Sequence, residues 1–250
     1  MRIFIGPQQR RAERIEIEAK LKGVKVALII VTMALPLALF GIMKWVFVEN
    51  VPKGDYSAVA MIQTVNGGCS GFLVGKKHLI TAAHCLDMMQ EGDYVNLTFE
   101  GNPQEYTATI LHIPNEYRET TGNEQLRKDY AVLELDTATF DNYFPLQLNQ
   151  NSTDLTDPII VAGYPGGATF SVASGTVTGL RWRSFDETLQ IMAGAWPGNS
   201  GGPVIDAETN KVIGILNGGD PEMLGMLISL KIDVLANDIN LSKKVELNYE

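Results

Sequence analysis

The chain has 250 residues, of which 45% are hydrophobic and 20% are charged, a balance typical of a packed protein rather than a disordered one. Its formal net charge of −9, with no basic stripe after the amino-terminal region, argues against a nucleic-acid partner, because nothing there would neutralise phosphates. This length has room for a membrane segment and one sizeable globular domain, but not for several domains.

The amino-terminal region is a basic leader followed by an apolar stretch. No charged residue occurs from Val26 to Met43, and a lysine bounds this stretch on each side. As a helix it would be roughly 27 Å long, close to the hydrocarbon thickness of a bilayer. We therefore predict a cytoplasmic leader at 1–23 and a single-pass transmembrane signal anchor at 24–48. The remainder would then lie in the periplasm or outside the cell.

Two other interpretations of the apolar stretch stay open. It is also compatible with a buried core helix, or with the apolar region of a cleaved signal peptide. The long charged leader and the bulky residues at the position of a cleavage site favour an anchor over a cleaved peptide. Pro36 is consistent with the anchor, because proline is tolerated in lipid-embedded helices.

After a linker at 49–55, short apolar runs alternate with turn residues, which predicts strands. The first set comprises Ser57–Val65, Gly71–Val74, His78–Thr81, Tyr94–Phe99, Thr107–Ile113 and Ala131–Leu135, with turn signals at 101–103 and 114–115. The second set comprises Ile159–Gly163, Phe170–Leu180, Leu189–Met192, Pro203–Asp206, Val212–Leu216 and Leu224–Ser229. Residues 233–240 are predicted to form a terminal helix. Two sets of about six strands indicate an all-β domain at 56–240 with two antiparallel barrels, followed by a tail at 241–250.

Three short motifs carry the chemistry of the chain. His84 lies in Thr81-Ala82-Ala83-His84-Cys85, Asp129 precedes an apolar run, and Ser200 lies in Gly198-Asn199-Ser200-Gly201-Gly202-Pro203. A serine hydroxyl needs an imidazole to remove its proton, and the imidazole needs a carboxylate to hold its tautomer. We therefore predict His84, Asp129 and Ser200 as catalytic residues.

In motif and in the order His, Asp, Ser, the chain resembles the chymotrypsin-like serine proteases. It is most similar in motif to the bacterial glutamyl endopeptidases and the periplasmic quality-control proteases. This resemblance implies a serine endopeptidase with its site in a cleft between two six-stranded barrels. It also implies an oxyanion hole formed by the backbone N–H groups of Gly198 and Ser200, and substrate pairing along 214–219.

The resemblance further implies a disulfide between Cys69 and Cys85, which an extracytoplasmic location would sustain. The alternative is two free buried thiols. No metal or organic cofactor is implied. The other histidines, His78 and His112, have no metal-ligand spacing and are expected to be structural. The expected partner is a protein or peptide substrate, together with the membrane at 24–48.

Specificity depends on the residues expected around the primary pocket, which are Gly194, Ala195, Leu216, Asn217 and Gly218. None of them is charged, so we expect a small or medium apolar P1 side chain before the scissile bond. Asn199 departs from the digestive proteases, whose aspartate at this position pairs with a newly cleaved amino terminus. The chain is therefore expected to be competent without propeptide removal.

The quality-control relatives carry a PDZ domain after the protease, and the residues that follow the last strand here are too few for one. The expected protease therefore lacks that recruitment device. Two other functions stay open, a catalytically silent binding or scaffold module and an esterase that uses the same triad. The sequence does not determine the oligomeric state.

Overall fold

The computed structural model describes residues 55–64, 67–137, 143–149, 151–220, 222–223, 225–242, 244–245 and 247. The predicted leader, the predicted anchor and all of the predicted linker except Asp55 lie outside these residues. No helix in the described part of the chain is long and apolar enough to cross a membrane.

The first barrel contains six antiparallel strands in the closed order β1-β2-β3-β6-β5-β4. Its strands are β1 (Val59–Thr64), β2 (Gly67–Leu73), β3 (His78–Thr81), β4 (Tyr94–Phe99), β5 (Asn102–His112) and β6 (Ala131–Leu135). The barrel closes because β1 pairs with β2 along one edge and with β4 along the other.

The second barrel has the same construction, in the closed order β10-β11-β12-β9-β8-β7. Its strands are β7 (Pro158–Gly163), β8 (Ser171–Gly179), β9 (Thr188–Ala193), β10 (Pro203–Asp206), β11 (Val212–Gly219) and β12 (Met226–Lys231). The predicted all-β class with two six-stranded antiparallel barrels is therefore confirmed.

Most apolar side chains of the predicted strands are buried. One cluster of buried residues fills the first barrel and continues into the second through Ile205, Ile215 and Leu230, while a second cluster lies within the second barrel. Because the larger cluster includes residues from both barrels, the barrels pack together through a continuous apolar interface. The candidate site residues come from loops beside that interface.

The segment between β5 and β6 differs from the prediction. Pro114 and Asn115 indicate only a turn, but Asn115–Glu119 forms helix α1, and Gly122–Lys128 forms a 3-10 helix. These helices are too short and too exposed to show a clear apolar periodicity in the sequence. They lead directly into Asp129.

The predicted terminal helix is divided in two. Helix α2 covers Asp233–Ala236 and helix α3 covers Ile239–Ser242. Asp238 separates them, because its Oδ1 accepts hydrogen bonds from the backbone N–H groups of Asn240 and Leu241, which is how an N-cap residue starts a new helix.

The other oxygen of Asp238 binds the first barrel. Its Oδ2 accepts hydrogen bonds from the Tyr130 hydroxyl and, at 3.0 Å, from His112 Nε2. His112 is buried, so the structure places it in a hydrogen-bonded contact that holds the carboxyl-terminal helices against the residue after Asp129.

Candidate active site

His84 and Asp129 are brought together by two neighbouring strands of the first barrel. His84 lies in a 3-10 turn, Ala83–Leu86, that follows β3, and Asp129 lies just before β6. In the ladder between these strands, Thr81 pairs with Ala131. The end of β3 and the start of β6 are therefore adjacent, although His84 and Asp129 are far apart in the sequence.

The Asp129 carboxylate holds His84 at two points. Its Oδ1 accepts the His84 backbone N–H at 2.9 Å, and its Oδ2 lies 2.7 Å from the ring Nδ1. A carboxylate at Nδ1 places the imidazole proton there and leaves Nε2 as a proton acceptor. Asp129 is buried, whereas the His84 side chain is 33% exposed, so the ring faces a space that substrate can reach.

The pKa of His84 is raised above its ordinary value of 6.5. Burial of the ring acts in the opposite direction, but the hydrogen bond and the negative charge of Asp129 outweigh it, with a smaller contribution from Asp87. The environment therefore favours the imidazolium, which is the state that forms when His84 accepts a proton.

Ser200 lies in the loop between β9 and β10 of the second barrel, and contacts connect it to the first. Its carbonyl oxygen accepts the Ser70 backbone N–H at 2.8 Å and lies 3.7 Å from the Sγ atom of Cys85, the residue after His84. These contacts place the backbone of Ser200 beside the turn that carries His84.

Asn217 connects the serine to the aspartate. Ser200 Oγ donates to its carbonyl oxygen at 3.3 Å, and its Nδ2 donates to the Asp129 carbonyl oxygen at 2.7 Å. The ladder between β11 and β12 shifts register at Asn217, and its Oδ1 accepts the Leu230 N–H at 2.7 Å. The side chain therefore replaces a ladder bond and supports Asp129 from the second barrel.

The loop around Ser200 leaves two N–H groups unused. The N–H groups of Asn199, Gly201 and Gly202 donate to the carbonyl oxygens of Trp196, Leu216 and Asn199 respectively. Those of Gly198 and Ser200 donate to no other residue in the described part of the chain. They are the two groups predicted to form the oxyanion hole.

Glycine is required at position 198. Its φ is +101°, and a Cβ built there would lie 2.4 Å from the Tyr164 carbonyl oxygen and 2.7 Å from the Gly166 nitrogen. A side chain would collide with this neighbouring turn as well as strain the backbone.

A cavity of about 340 Å³ lies beside Ser200. Its lining contains no charged side chain and consists of Ala195, Trp196, Pro197, Ser200, Leu216, Gly218, Gly219 and Leu227. Of the predicted pocket residues, Ala195, Leu216 and Gly218 line it. Gly194 and Asn217 do not.

The sequence analysis did not identify Trp196, Pro197, Gly219 and Leu227 as lining residues. Trp196 and Pro197 could have been found from their position directly before the glycine-rich motif. Leu227 lies on β12, which pairs with β11 across Gly219, so its place at the cavity follows from the barrel and not from local sequence.

Asn199 is 2% exposed, and its Oδ1 has no hydrogen-bond partner among the described residues. As a neutral amide, it places no negative charge at this buried position. The structure therefore contains no carboxylate here for a new amino terminus to pair with.

Cys69 and Cys85 form a disulfide, so the predicted bridge is present. Their Sγ atoms and a ring nitrogen of His84 lie within 4.8 Å of one another. Such a cluster could suggest a metal site, but both sulfurs are used in the disulfide and neither is a thiolate.

Comparison with known proteins identifies the family and the fold of the chain. Residues 69–215 match the family described as "Trypsin-like peptidase domain". The "Putative protease Do-like 12, mitochondrial" of Arabidopsis thaliana is 32% identical over 190 residues, which are 71% of this chain and 35% of that protein. The "Glutamyl endopeptidase" of Bacillus licheniformis is 26% identical over 181 residues, 66% of this chain and 53% of that protein. The chain thus spans about a third to a half of these curated relatives.

Solved structures share the fold at low sequence identity. The Rv3671c protease from M. tuberculosis in its active form has a TM-score of 0.60 and 18% identity, covering 81% of this chain and 86% of that one. The serine endoprotease from Yersinia pestis has a TM-score of 0.59 and 18% identity, covering 76% and 64%.

Proposed function

This chain belongs to the trypsin-like peptidase family, and we propose that it is a serine endopeptidase whose catalytic residues are His84, Asp129 and Ser200. The observation that carries the proposal is the two-point contact of Asp129 with His84 beside a serine loop with two unused N–H groups. Peptide hydrolysis through an acyl-enzyme needs each of these elements.

In the proposed reaction, Ser200 Oγ attacks the scissile carbonyl carbon while His84 Nε2 takes the hydroxyl proton. Asp129 stabilises the imidazolium that forms. The N–H groups of Gly198 and Ser200 stabilise the oxyanion, with each such donor worth about 3 kcal/mol. The intermediate collapses, and the leaving amine takes the proton from His84. Water then attacks the acyl-enzyme by the same steps, which releases the acid and restores Ser200.

A fluorophosphonate probe tests the proposal on the full chain. We expect Ser200 to be labelled and Ser200→Ala to lose labelling completely. Ser174→Ala is a matched control, because Ser174 is an exposed serine on β8 of the same barrel, and it should be labelled like the parent. Labelling that persists in Ser200→Ala would contradict the assignment. An unlabelled parent that binds a partner would favour a scaffold module, and turnover of esters but not of peptides would favour an esterase.

We propose that the cavity beside Ser200 accepts a small or medium apolar P1 side chain. Its walls are apolar or glycine, and Leu227 and Leu216 are buried against it. A charged P1 group would lose its water there without gaining a partner. The relative that is a glutamyl endopeptidase is therefore not expected to share its preference with this chain.

A peptide library derived from a proteome measures this preference. We expect cleavage after residues such as Ala, Val and Leu, whereas a strong preference for Arg, Lys or Glu would contradict it. Ala195→Asp places a carboxylate in the wall of the cavity and should shift the preference towards Lys and Arg. An unchanged profile would show that this cavity does not receive P1.

We also propose that the enzyme is competent without removal of a propeptide. Asn199 supplies no charge for a new amino terminus, and the two N–H groups assigned to the oxyanion hole are already free. Intact mass measurement of the labelled full chain should show an unprocessed amino terminus. A chain that is labelled only after cleavage between residues 44 and 60 would overturn this proposal.

Finally, we propose that residues 24–48 anchor the protein and that the protease domain at 56–240 lies outside the cytoplasm. The apolar stretch supports the anchor, and the disulfide is a bond that persists in oxidising compartments. The full chain should remain with membranes after alkaline extraction, and added protease should reach the domain in spheroplasts. Recovery of the full chain in the soluble fraction would contradict the anchor.

A further inference from the structure

The buried hydroxyl of Ser70 joins two loops of the second barrel, although Ser70 belongs to the first. Ser70 lies on β2 with no exposed surface. Its Oγ donates to the Gly198 carbonyl oxygen at 2.8 Å and accepts the Tyr164 backbone N–H at 2.9 Å. The hydroxyl thus gives both backbone groups a hydrogen-bond partner and ties these two loops of the second barrel to β2 of the first.

The contact with Gly198 matters because the direction of the Gly198 N–H depends on how the peptide groups before and after this residue are oriented. The preceding peptide is held by the Pro197 carbonyl oxygen, which accepts the Gly166 N–H at 2.6 Å. In a trans peptide the C=O and N–H point in opposite directions, so this bond directs the Gly198 N–H away from Gly166. The following peptide is held at both ends, because Ser70 Oγ donates to the Gly198 carbonyl oxygen and the Asn199 N–H donates to the Trp196 carbonyl oxygen at 3.0 Å.

Contacts with neighbouring residues matter at this position because glycine restricts its own backbone weakly. Gly198 has a φ of +101° and no Cβ, so several other combinations of φ and ψ are accessible to an unrestrained loop. One peptide is held by Gly166, and the other is held by Ser70 at its carbonyl oxygen and by Trp196 at its N–H, so rotation about both backbone bonds of Gly198 is limited.

We propose that Ser70 is a positioning residue, whose hydroxyl holds the Gly198 N–H in the orientation that stabilises the oxyanion. This inference rests on the proposed serine endopeptidase function. Ser70 does not touch substrate. It acts through Gly198, and it couples the first barrel, which carries His84 and Asp129, to the oxyanion hole in the second.

The hydroxyl can be removed without disturbing the other contacts of Ser70. Its backbone N–H donates to the Ser200 carbonyl oxygen at 2.8 Å, and its carbonyl oxygen accepts the Thr81 hydroxyl at 2.7 Å. Ser70→Ala keeps both of these bonds and loses only those made by Oγ. The variant therefore tests the hydroxyl specifically.

Thr188 provides a matched control. Its side-chain hydroxyl also has no exposed surface, donates to the Phe185 carbonyl oxygen at 2.8 Å, and accepts the Trp182 backbone N–H at 2.8 Å. Thr188→Val removes this hydroxyl with almost no change of shape. The two variants lose the same kinds of bond, but only Ser70→Ala loses a bond to the Ser200 loop.

The test compares the full-length parent, Ser70→Ala and Thr188→Val with a fluorophosphonate probe and with a tetrapeptide p-nitroanilide that has Ala or Val at P1. In Ser70→Ala we expect kcat and the fluorophosphonate rate constant to fall roughly 10- to 100-fold, below the loss for deleting a whole oxyanion donor. KM should change less than about twofold, because ground-state binding is retained. Thr188→Val should keep the parent's kcat, KM and labelling rate per folded molecule.

A peptide aldehyde gives a second readout, because its adduct with Ser200 carries an oxyanion. Its affinity should fall in Ser70→Ala by about the same factor as kcat, whereas a loss of stability alone would not weaken it selectively. Equal kcat and equal aldehyde affinity in the two variants would overturn the proposal and leave Ser70 with a structural role only.

Two further outcomes separate this inference from the function on which it rests. If the parent itself is not labelled, the endopeptidase assignment fails and the role of Ser70 fails with it. If Ser70→Ala does not fold, a crystal structure of the parent's phosphonate adduct tests whether Ser70 keeps its contact with Gly198. Ser70 Oγ should remain about 3 Å from the Gly198 carbonyl oxygen, and a broken contact in that adduct would overturn the proposal.

Discussion

The two barrels contribute to the candidate site in different ways. The first supplies His84 and Asp129 from segments next to the paired ends of β3 and β6, so the ladder brings those segments together. The second supplies Ser200 from a glycine-rich loop, where orientation depends on contacts with Asn217, with the turn around Gly166 and with Ser70 of the other barrel. The acid–base pair thus depends mainly on the strand pairing of one barrel, with Asn217 of the other barrel supporting Asp129, whereas the serine loop depends on contacts between the barrels.

The largest expected effect comes from breaking the pair in the first barrel. Asp129→Asn keeps the shape of the side chain but places an amide beside His84 Nδ1. The amide favours the imidazole tautomer with its proton on Nε2, which cannot accept the serine proton. The labelling rate and kcat should therefore fall about 10⁴-fold. Asp136→Asn is the control, since Asp136 is an exposed carboxylate just after the other end of β6, and it should react like the parent. A loss below about tenfold in Asp129→Asn would show that the ladder does not position a catalytic carboxylate.

The disulfide tests how firmly the histidine turn is attached to β2. Closing a loop of 16 residues stabilises a protein by about 3 kcal/mol in the chain-entropy model. Replacing both Cys69 and Cys85 by alanine should lower the unfolding free energy by about that amount in chemical denaturation. The reduced parent should match the double variant. Equal stability of the oxidised and reduced parent would contradict the prediction.

Asn217 tests the support that the second barrel gives to the first. Asn217→Ala leaves the Asp129 carbonyl and the Leu230 N–H without their buried partner, which should cost about 2 kcal/mol of stability and also lower kcat. Asn237→Ala removes an exposed contact with the Asp233 carbonyl oxygen and should change neither quantity. An unaffected kcat in Asn217→Ala would mean that the strand ladder alone holds Asp129 in place.

Asp238 tests the attachment of the carboxyl-terminal helices to the first barrel. Burial acts to raise its pKa, but the bonds from Tyr130, Leu241 and His112 outweigh it and lower the pKa from 3.8 to about 2. A lowered pKa contributes stability that is complete above about pH 4 and is lost as the pH falls towards 2. Asp238→Asn should therefore be less stable by roughly 1–2 kcal/mol at neutral pH, and the two proteins should converge on acidification. A constant difference in thermal unfolding across this range would contradict the shift.

The smallest expected effect is the pH dependence of His84. Because its folded pKa is raised above 6.5, the fluorophosphonate rate constant should decrease with acidification, with a midpoint above that value, as neutral imidazole is lost. Stability changes in the opposite direction. The contribution of the His84–Asp129 contact is complete below about pH 6.5 and declines as the pH rises through the folded pKa. A labelling midpoint below 6.5 would contradict the raised pKa.

Much of the fold could be predicted from the chain itself. Short apolar runs between turn residues predicted the places of all twelve strands. The bounds were wrong for β2, which starts at Gly67 rather than Gly71, and for β5, which starts at Asn102 inside the turn predicted at 101–103 rather than at Thr107. The segment from 115 to 128 was missed, since short helices on the surface carry little apolar periodicity. The division at Asp238 was missed because the local sequence does not show whether an aspartate within a helical segment caps a new helix. Its N-cap role is visible only from its bonds to the N–H groups of Asn240 and Leu241.

The candidate site also has parts that the sequence predicted and parts that only the structure revealed. The amino-acid sequence by itself determined the two-barrel class, the disulfide partners and the three chemical motifs, because each depends on residue types within a short window or on a family resemblance. Only the tertiary structure decided that the Asn217 side chain supports Asp129, that Leu227 lines the cavity and that Ser70 contacts Gly198. Those contacts join residues distant in the chain, and a local pattern does not specify which side chains meet when two barrels pack together.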